Sequence, residues 1–215
     1  MSSAQDSTRD RLVAAGSRLF AERGIDNVSL REISREAGAR NVVALQHHFG
    51  GRDGLLQAIV DKHHLGVEAR RHEMLEGCGE APGARQLALA LVEPLAECLT
   101  DDVGGPYFLQ IYADLVNRPR PPVEVLGSDD VGSSLRRWTR MADPLLPPGA
   151  ARVHRRFAAV LYTVVELARC ARSAARDAAV VRLAVVDVVA AMLVAPVSEQ
   201  TALAVEARDL RRGAV

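Results

Sequence analysis

Between Ser29 and Phe49 the chain reads SLREISREAGARNVVALQHHF, a capped helical stretch, a glycine break and a second short helical stretch. Ser29 offers a hydroxyl as N-cap and Glu32 follows three residues later, which completes a capping box. Leu30, Ile33 and Ala37 form the inner stripe of this helix, and Gly38 stops it. A further helix is expected over roughly 41–48. Two helices joined at so sharp a glycine turn have the layout of a helix-turn-helix.

The flanking sequence is helical as well. A first helix is expected from near Asp6 or Ser7 to about Arg23, with Leu12, Ala15 and Leu19 on one face, Phe20 beside them and Gly24 as a left-handed cap. After Gly50-Gly51, a long helix is expected over about 52–75, its buried edge starting with Leu55, Leu56, Ile59 and Val60. GCGEAPG, residues 77–83, reads as a connector and the domain boundary. Beyond it, helices are expected at about 84–100, 106–117, 128–142, 150–174 and 178–195, with a last short one from Ser198 towards Arg211. The proline-rich NRPRPP stretch reads as a loop. Alternating β-branched runs are nearly absent, so the fold class is all-α. The domains expected are a helix-turn-helix head over 1–50, a linking helix over about 52–75, and a larger helical body over 76–215.

Charge narrows the partners. The 215 residues carry zero formal net charge, so the whole molecule has no general attraction to nucleic acid. Residues 1–52 hold eight arginines against six acids, a local net of +2. Counterion release over so small a charge gives weak binding, so tight and specific binding requires two copies of the motif. Cys78, Cys98 and Cys170 form no CxxC pair, which with no signal peptide fits reduced thiols in a cytoplasm. The most apolar stretch, residues 178–197, contains Arg182, Asp187 and Pro196, and reads as a buried or interface helix, not a membrane span.

In a helix-turn-helix the second helix lays its N-terminal side chains on base edges in the major groove. Ile33, Ala37, Leu45 and Phe49 can fix the crossing angle against Leu19 and Phe20. Arg40, Asn41, Gln46, His47 and His48 form the outward polar set, with Val42 among them and Arg52 at the start of the next helix. Asn and Gln pair bidentately with adenine, and Arg with guanine. Ser29 can add a phosphate contact to its role as a cap.

The run TRDRLVAAGSRLFAERGIDNVSLREISREAGA, followed by HHF and GRDGLLQAI, resembles the N-terminal domain of TetR-family transcriptional regulators. The matching elements are Ala14-Ala15, Leu19-Phe20, Gly24, Val28-Ser29, Ile33, Ala37-Gly38, His48-Phe49 and Leu55. The segment between Ala37-Gly38 and His48-Phe49 is one residue longer than the family's common form. Gln46-His47 stands where a tyrosine pair is usual, and Arg52 where a lysine is. The resemblance implies a repressor released from a palindromic operator in double-stranded DNA by a small, largely apolar effector. It also implies a homodimer built on the two C-terminal helices, here about 150–174 and 178–195. Ala158, Leu161, Val165, Ala168, Val185, Val188, Val189 and Met192 are the interface candidates on them. The middle helices would enclose the effector, with Tyr107, Phe108, Tyr112, Trp138, Met141, Phe157 and Tyr162 as lining candidates; core packing accounts for each equally well.

Other chemistry finds little footing. His64, Glu68 and His72 share a helical face at metal-ligand spacing, but such a stripe is more often a wet, charged helix side, and no metal or cofactor is expected. The chain has no nucleophile elbow, phosphate loop or HExxH, so an enzyme is not expected. The rival reading is a helical adaptor or ligand-binding protein whose weakly basic head binds no DNA.

Overall fold

In the computed structural model, residues 2–39, 42–123, 132–173 and 177–213 are described, and among them the chain forms helices and no strand. Helix α1 (Ser2–Arg23) begins ahead of Asp6 and buries Leu12, Ala15, Leu19 and Phe20, the stripe its sequence spacing predicts. Gly24 does not cap it as a left-handed helical residue: its φ of 86° comes with a ψ of 147°, which leads into extended chain. A tight turn over Ile25–Asn27 follows at once, and the Asn27 side-chain amide donates to the Arg23 carbonyl at 2.9 Å, closing α1 from outside.

Helix α2 (Leu30–Glu36) starts at Ser29 with the expected capping box. The Ser29 hydroxyl accepts from the Glu32 amide at 3.2 Å, and the Glu32 carboxylate accepts from the Ser29 amide at 2.8 Å. Helix α3 (Val42–Phe49) and the long helix α4 (Arg52–Glu76) follow. Gly54 is what lets α4 start so close to α3. A Cβ there would sit 1.8 Å from the Phe49 carbonyl oxygen.

At 25 residues and about 1.5 Å rise per residue, α4 is long enough to serve both parts of the molecule. Its first half buries Leu55, Leu56, Ile59, Val60 and His63, and its second half buries Val67, Arg71 and Leu75. The body comprises α5 (Ala84–Ala96), α6 (Gly105–Val116), α7 (Ser134–Ala142), α8 (Arg155–Ala171), α9 (Ala178–Val194) and α10 (Glu199–Gly213). Helix α5 is its centre, packed against α4, α7, α8 and α9 and burying Leu87, Ala88, Ala90, Leu91, Val92 and Leu95. Helix α6 packs on α8 on one side and on α1 on the other. Through α1, α4 and α6 the buried apolar cluster runs without a break from Leu12 in the head to Leu193 in α9.

Two body helices are shorter than expected. Residues 97–99 tighten into a 3-10 turn that ends α5 early. Residues 151–153 form a separate turn, and His154 at φ 54°, ψ 36° breaks the chain before α8. Of the helix expected over 128–142, the described part starts at Ser134, and 128–131 lie outside the described residues. No single helix among the described residues is long and apolar enough to cross a membrane.

Candidate nucleic-acid interface

The two helices that would meet DNA are fixed from beneath. Ile33 of α2 and Leu45 of α3 are fully buried, and Ala37 is nearly so, against Leu19 and Phe20 of α1. Gly38, at φ 66°, turns the chain between them, while the Ala39 amide returns to the Ser34 carbonyl at 2.9 Å. Phe49 closes the end of α3, half-buried, with the Arg9 guanidinium 5.4 Å above its ring.

The outward side of α3 presents Val43, Gln46 and His47, all exposed. His48 is half-buried, its ring edge-on to His47 at 5.5 Å and tilted against Phe49 at 6.0 Å. Arg40 and Asn41 lie outside the described residues, as does the side chain of Val42. Gln46 is exposed, but its amide nitrogen donates to the Gly50 carbonyl at 2.9 Å. Reading an adenine with both ends of that amide would break this bond. Ser29 is exposed at the N-terminal edge of α2, its hydroxyl engaged with Glu32.

Arg52 has a bracing role that the sequence reading did not anticipate. Its guanidinium donates to the Ile25 carbonyl and, at 2.5 Å, to the Val28 carbonyl, and lies 5.7 Å over the Phe20 ring. It therefore ties the first turn of α4 to the loop before α2. Those carbonyls come from residues more than twenty positions earlier, so no local signal in the sequence marked them.

Much of the head's modest positive charge is spent on internal pairs. Arg18 bridges Glu22, at 3.2 Å, and Glu36, and Arg23 meets Glu32 at 2.9 Å, so α1 and α2 are held together by charge. Hydrogen bonds from the Ser29 amide and hydroxyl, and then from Arg23, hold the Glu32 carboxyl down at about 2. Arg31 and Arg35 project from the exposed side of α2, one turn apart. On the far side of the head, Arg118 from the end of α6 reaches Asp26 at 2.8 Å while also holding Asp114 at 2.8 Å.

In the body, the stripe of His64, Glu68 and His72 is not the wet helix side expected. Both oxygens of Glu68 are engaged by Ser134, from its amide at 2.7 Å and its hydroxyl at 2.7 Å. His64 lies 3.9 Å from Glu68, while His72 pairs with the Gly132 carbonyl at 3.0 Å instead of turning to the same point. Arg71, which the sequence reading passed over, is buried beside them. A signal existed: position 71 falls on the apolar stripe that runs through Val60, Val67 and Leu75.

The seven candidate lining residues differ in burial, and two of them, Phe108 and Tyr112, pack together with ring centres 5.2 Å apart. Phe108 and Trp138 are fully buried and Tyr112 nearly so, Phe108 stacking on His63 at 4.9 Å and Trp138 donating its indole N–H to the Leu87 carbonyl at 2.7 Å. Tyr107, Met141 and Tyr162 are half-buried, whereas Phe157 is 47% exposed on the outside of α8. Three surface cavities of about 530, 430 and 230 Å³ are lined by described residues, and none of these three is walled by any of the seven.

The interface candidates divide in the same way. Ala168, Val185 and Val189 are at most 2% exposed and are buried within their own subunit, where α8 packs on α6 and α9, and α9 on α5. They offer no area to a partner. Ala158 and Val188 are exposed, and Leu161, Val165 and Met192 are half-buried. Beside these, Phe157 on α8 and Val180, Leu183 and Val194 on α9 stand in solvent, an apolar surface that the sequence reading had only partly picked out.

A braced pair of short helices with a polar outer face, carried on an all-helical body, defines a helix-turn-helix DNA-binding protein. Residues 12–59 match the family model of bacterial regulatory proteins, tetR family, which identifies the N-terminal domain as a tetR-family helix-turn-helix domain. The overall fold is also that of several solved structures. One is NalD, the secondary repressor of the MexAB-OprM multidrug efflux pump in Pseudomonas aeruginosa, at 21% identity and a TM-score of 0.52, covering 86% of this chain and 96% of that one. A TetR-family transcriptional regulator from Streptomyces coelicolor matches at 20% identity and a TM-score of 0.51, covering 87% of this chain and 95% of that one. Mycobacterium smegmatis AmtR matches at 17% identity and a TM-score of 0.52, covering 92% and 91%. No curated protein matches the chain.

Proposed function

We propose that the protein is a homodimeric repressor that binds a palindromic DNA operator and is released from it by a small molecule. The observation that carries this reading is the head itself. Ile33 of α2 and Leu45 of α3 are fixed in the core while Gln46 and His47 face outward on α3. In this reading Arg40, Asn41, Val42, Gln46, His47 and His48 meet bases or phosphates, and Ser29, with Arg31 and Arg35 nearby, meets phosphate oxygens. Arg52 acts mainly by holding the loop before α2. The head spans about 1–50, α4 links it to the rest, and residues 76–215 form the dimerising and effector-binding body.

Dimerisation is supported by the large apolar side chains left exposed on α8 and α9, namely Phe157, Val180, Leu183, Val188 and Val194, with Leu161 half-buried on α8. Two-fold symmetry places two weakly basic heads side by side, and a palindromic site answers that symmetry. The effector acts by favouring one arrangement of the heads over another.

Gel-shift titration against DNA selected from a random pool tests the proposal. Arg40→Ala and Asn41→Ala are each expected to weaken binding to the selected site by about 1–3 kcal/mol per half-site. Absence of any sequence-selective, salt-dependent retention would support the adaptor reading instead.

A further inference from the structure

Two buried hydrogen-bonding side chains in the body each keep a polar atom without a partner among the described residues. Arg71 on α4 and Ser133, just before α7, are each 4% exposed. Arg71 donates from Nη1 to the Ser134 hydroxyl at 3.0 Å and to Glu68 at 3.3 Å. Its Nε, and the Ser133 hydroxyl, are buried with no hydrogen-bond partner among the described residues. Native proteins rarely leave such groups unmet, and those that remain mark a missing water, ion or ligand.

The local outlet for Ser133 is unused. As the N-cap residue of α7 its hydroxyl would ordinarily accept an amide from the first turn, yet it makes no such bond. Glu68 accepts the Ser134 amide and the Ser134 hydroxyl. The carboxylate of α4 thus holds the first residue of α7, and the Ser133 hydroxyl is left without a partner among the described residues. Both orphan groups adjoin Ser134, one by covalent linkage and the other through the hydrogen bond from Arg71.

Charge decides what could satisfy them. Arg71 and Glu68 stand three residues apart on one helix, so the cluster already balances its own charge. An anionic ligand would carry uncompensated charge into a buried and neutral site. A neutral carbonyl oxygen would not, and it accepts from both an N–H and an O–H donor. The groups nearby suit an apolar remainder: Tyr112 interacts with Arg71 and packs on Phe108 with ring centres 5.2 Å apart.

We propose that Arg71 and Ser133 form the polar end of the effector site, and that the effector is a neutral, largely apolar molecule presenting a carbonyl oxygen to them. This rests on the reading of the body as an effector-binding unit.

The test uses the full-length protein and a graded series of methyl ω-phenylalkanoates, their free acids and the matching alkylbenzenes. Trp138, the one tryptophan in the chain, is fully buried one turn from Ser134 and reports binding by its emission. At least one ester is expected to bind about tenfold tighter than its acid and its hydrocarbon. Ser133→Ala should weaken that ester about three- to tenfold, leave the hydrocarbon unchanged, and keep or raise the melting temperature of the free protein. No binding by any ester, tighter binding by acids, or equal binding by hydrocarbons overturns the proposal. So does a Ser133→Ala variant that loses stability, because its hydroxyl would then already be satisfied by water. Operator binding is measured in parallel. Ester binding that leaves operator affinity unchanged contradicts release by effector but not this site, and loss of ester binding with intact operator recognition contradicts this site alone.

Discussion

Gly54 and Gly38 both sit at turns of the head, yet they are required for different reasons. At Gly38 an added Cβ meets nothing within 4 Å, and the cost is only the left-handed backbone. At Gly54 it meets the Phe49 carbonyl, and backbone must move. Gly38→Ala is therefore expected to cost about 1–2 kcal/mol and Gly54→Ala about 3 kcal/mol or more; urea denaturation compares them, and equal losses would contradict the crowding argument. Two titrations belong to this scale as well. Glu32 has its pKa depressed from 4.5 to about 2, so the stability it confers is complete above 4.5 and lost as pH falls towards 2. Glu32→Gln should flatten the melting temperature across that window. His63 is shifted the other way relative to its charge: burial lowers its pKa despite the nearby Asp101, so the fold favours the neutral ring. The unfolded chain then binds more protons, and His63 lowers stability as pH drops below 6.5. Melting curves of His63→Gln should lose that slope. The Ser29–Glu32 pair was legible in the sequence because both partners lie within one turn. Arg52 and Arg71 were not, because their partners are brought to them by the fold.

At the scale of elements, the helices follow from apolar spacing, and the departures fall where a side chain or turn intervenes. Asn27 closes α1 in place of Gly24, and His154 delays α8 to Arg155. Which face of a helix turns outward was harder to read. Helix α9 is apolar nearly all round, so spacing alone could not separate Val185 and Val189, which are buried, from Val180 and Val188, which are exposed. The distinction gives paired predictions. Val180→Asp with Val188→Asp should shift the protein from dimer to monomer in sedimentation and leave its helical signal intact. Val185→Ala should leave the dimer in place and cost about 1–3 kcal/mol in stability through an internal cavity. A dimer that survives both aspartates would remove this face from the interface.

For the whole molecule, the continuous core matters more than the boundary between head and body. Helix α1 packs on α6, α4 runs from one part to the other, and Arg118 ties Asp26 of the head to the end of α6. Helix α4 carries both Glu68, which holds Ser134, and the Arg52 brace, so the proposed effector site and the head share one element. With zero net charge the molecule lacks bulk attraction to DNA, so in the proposed reading specificity falls to geometry and two-fold symmetry. Selection of bound sequences from a random DNA pool by the full-length protein tests this most directly. The account predicts enrichment of an inverted repeat, with affinity that falls steeply with salt and drops when either half-site is scrambled. Enrichment of no sequence, or of a single site without two-fold symmetry, would contradict it.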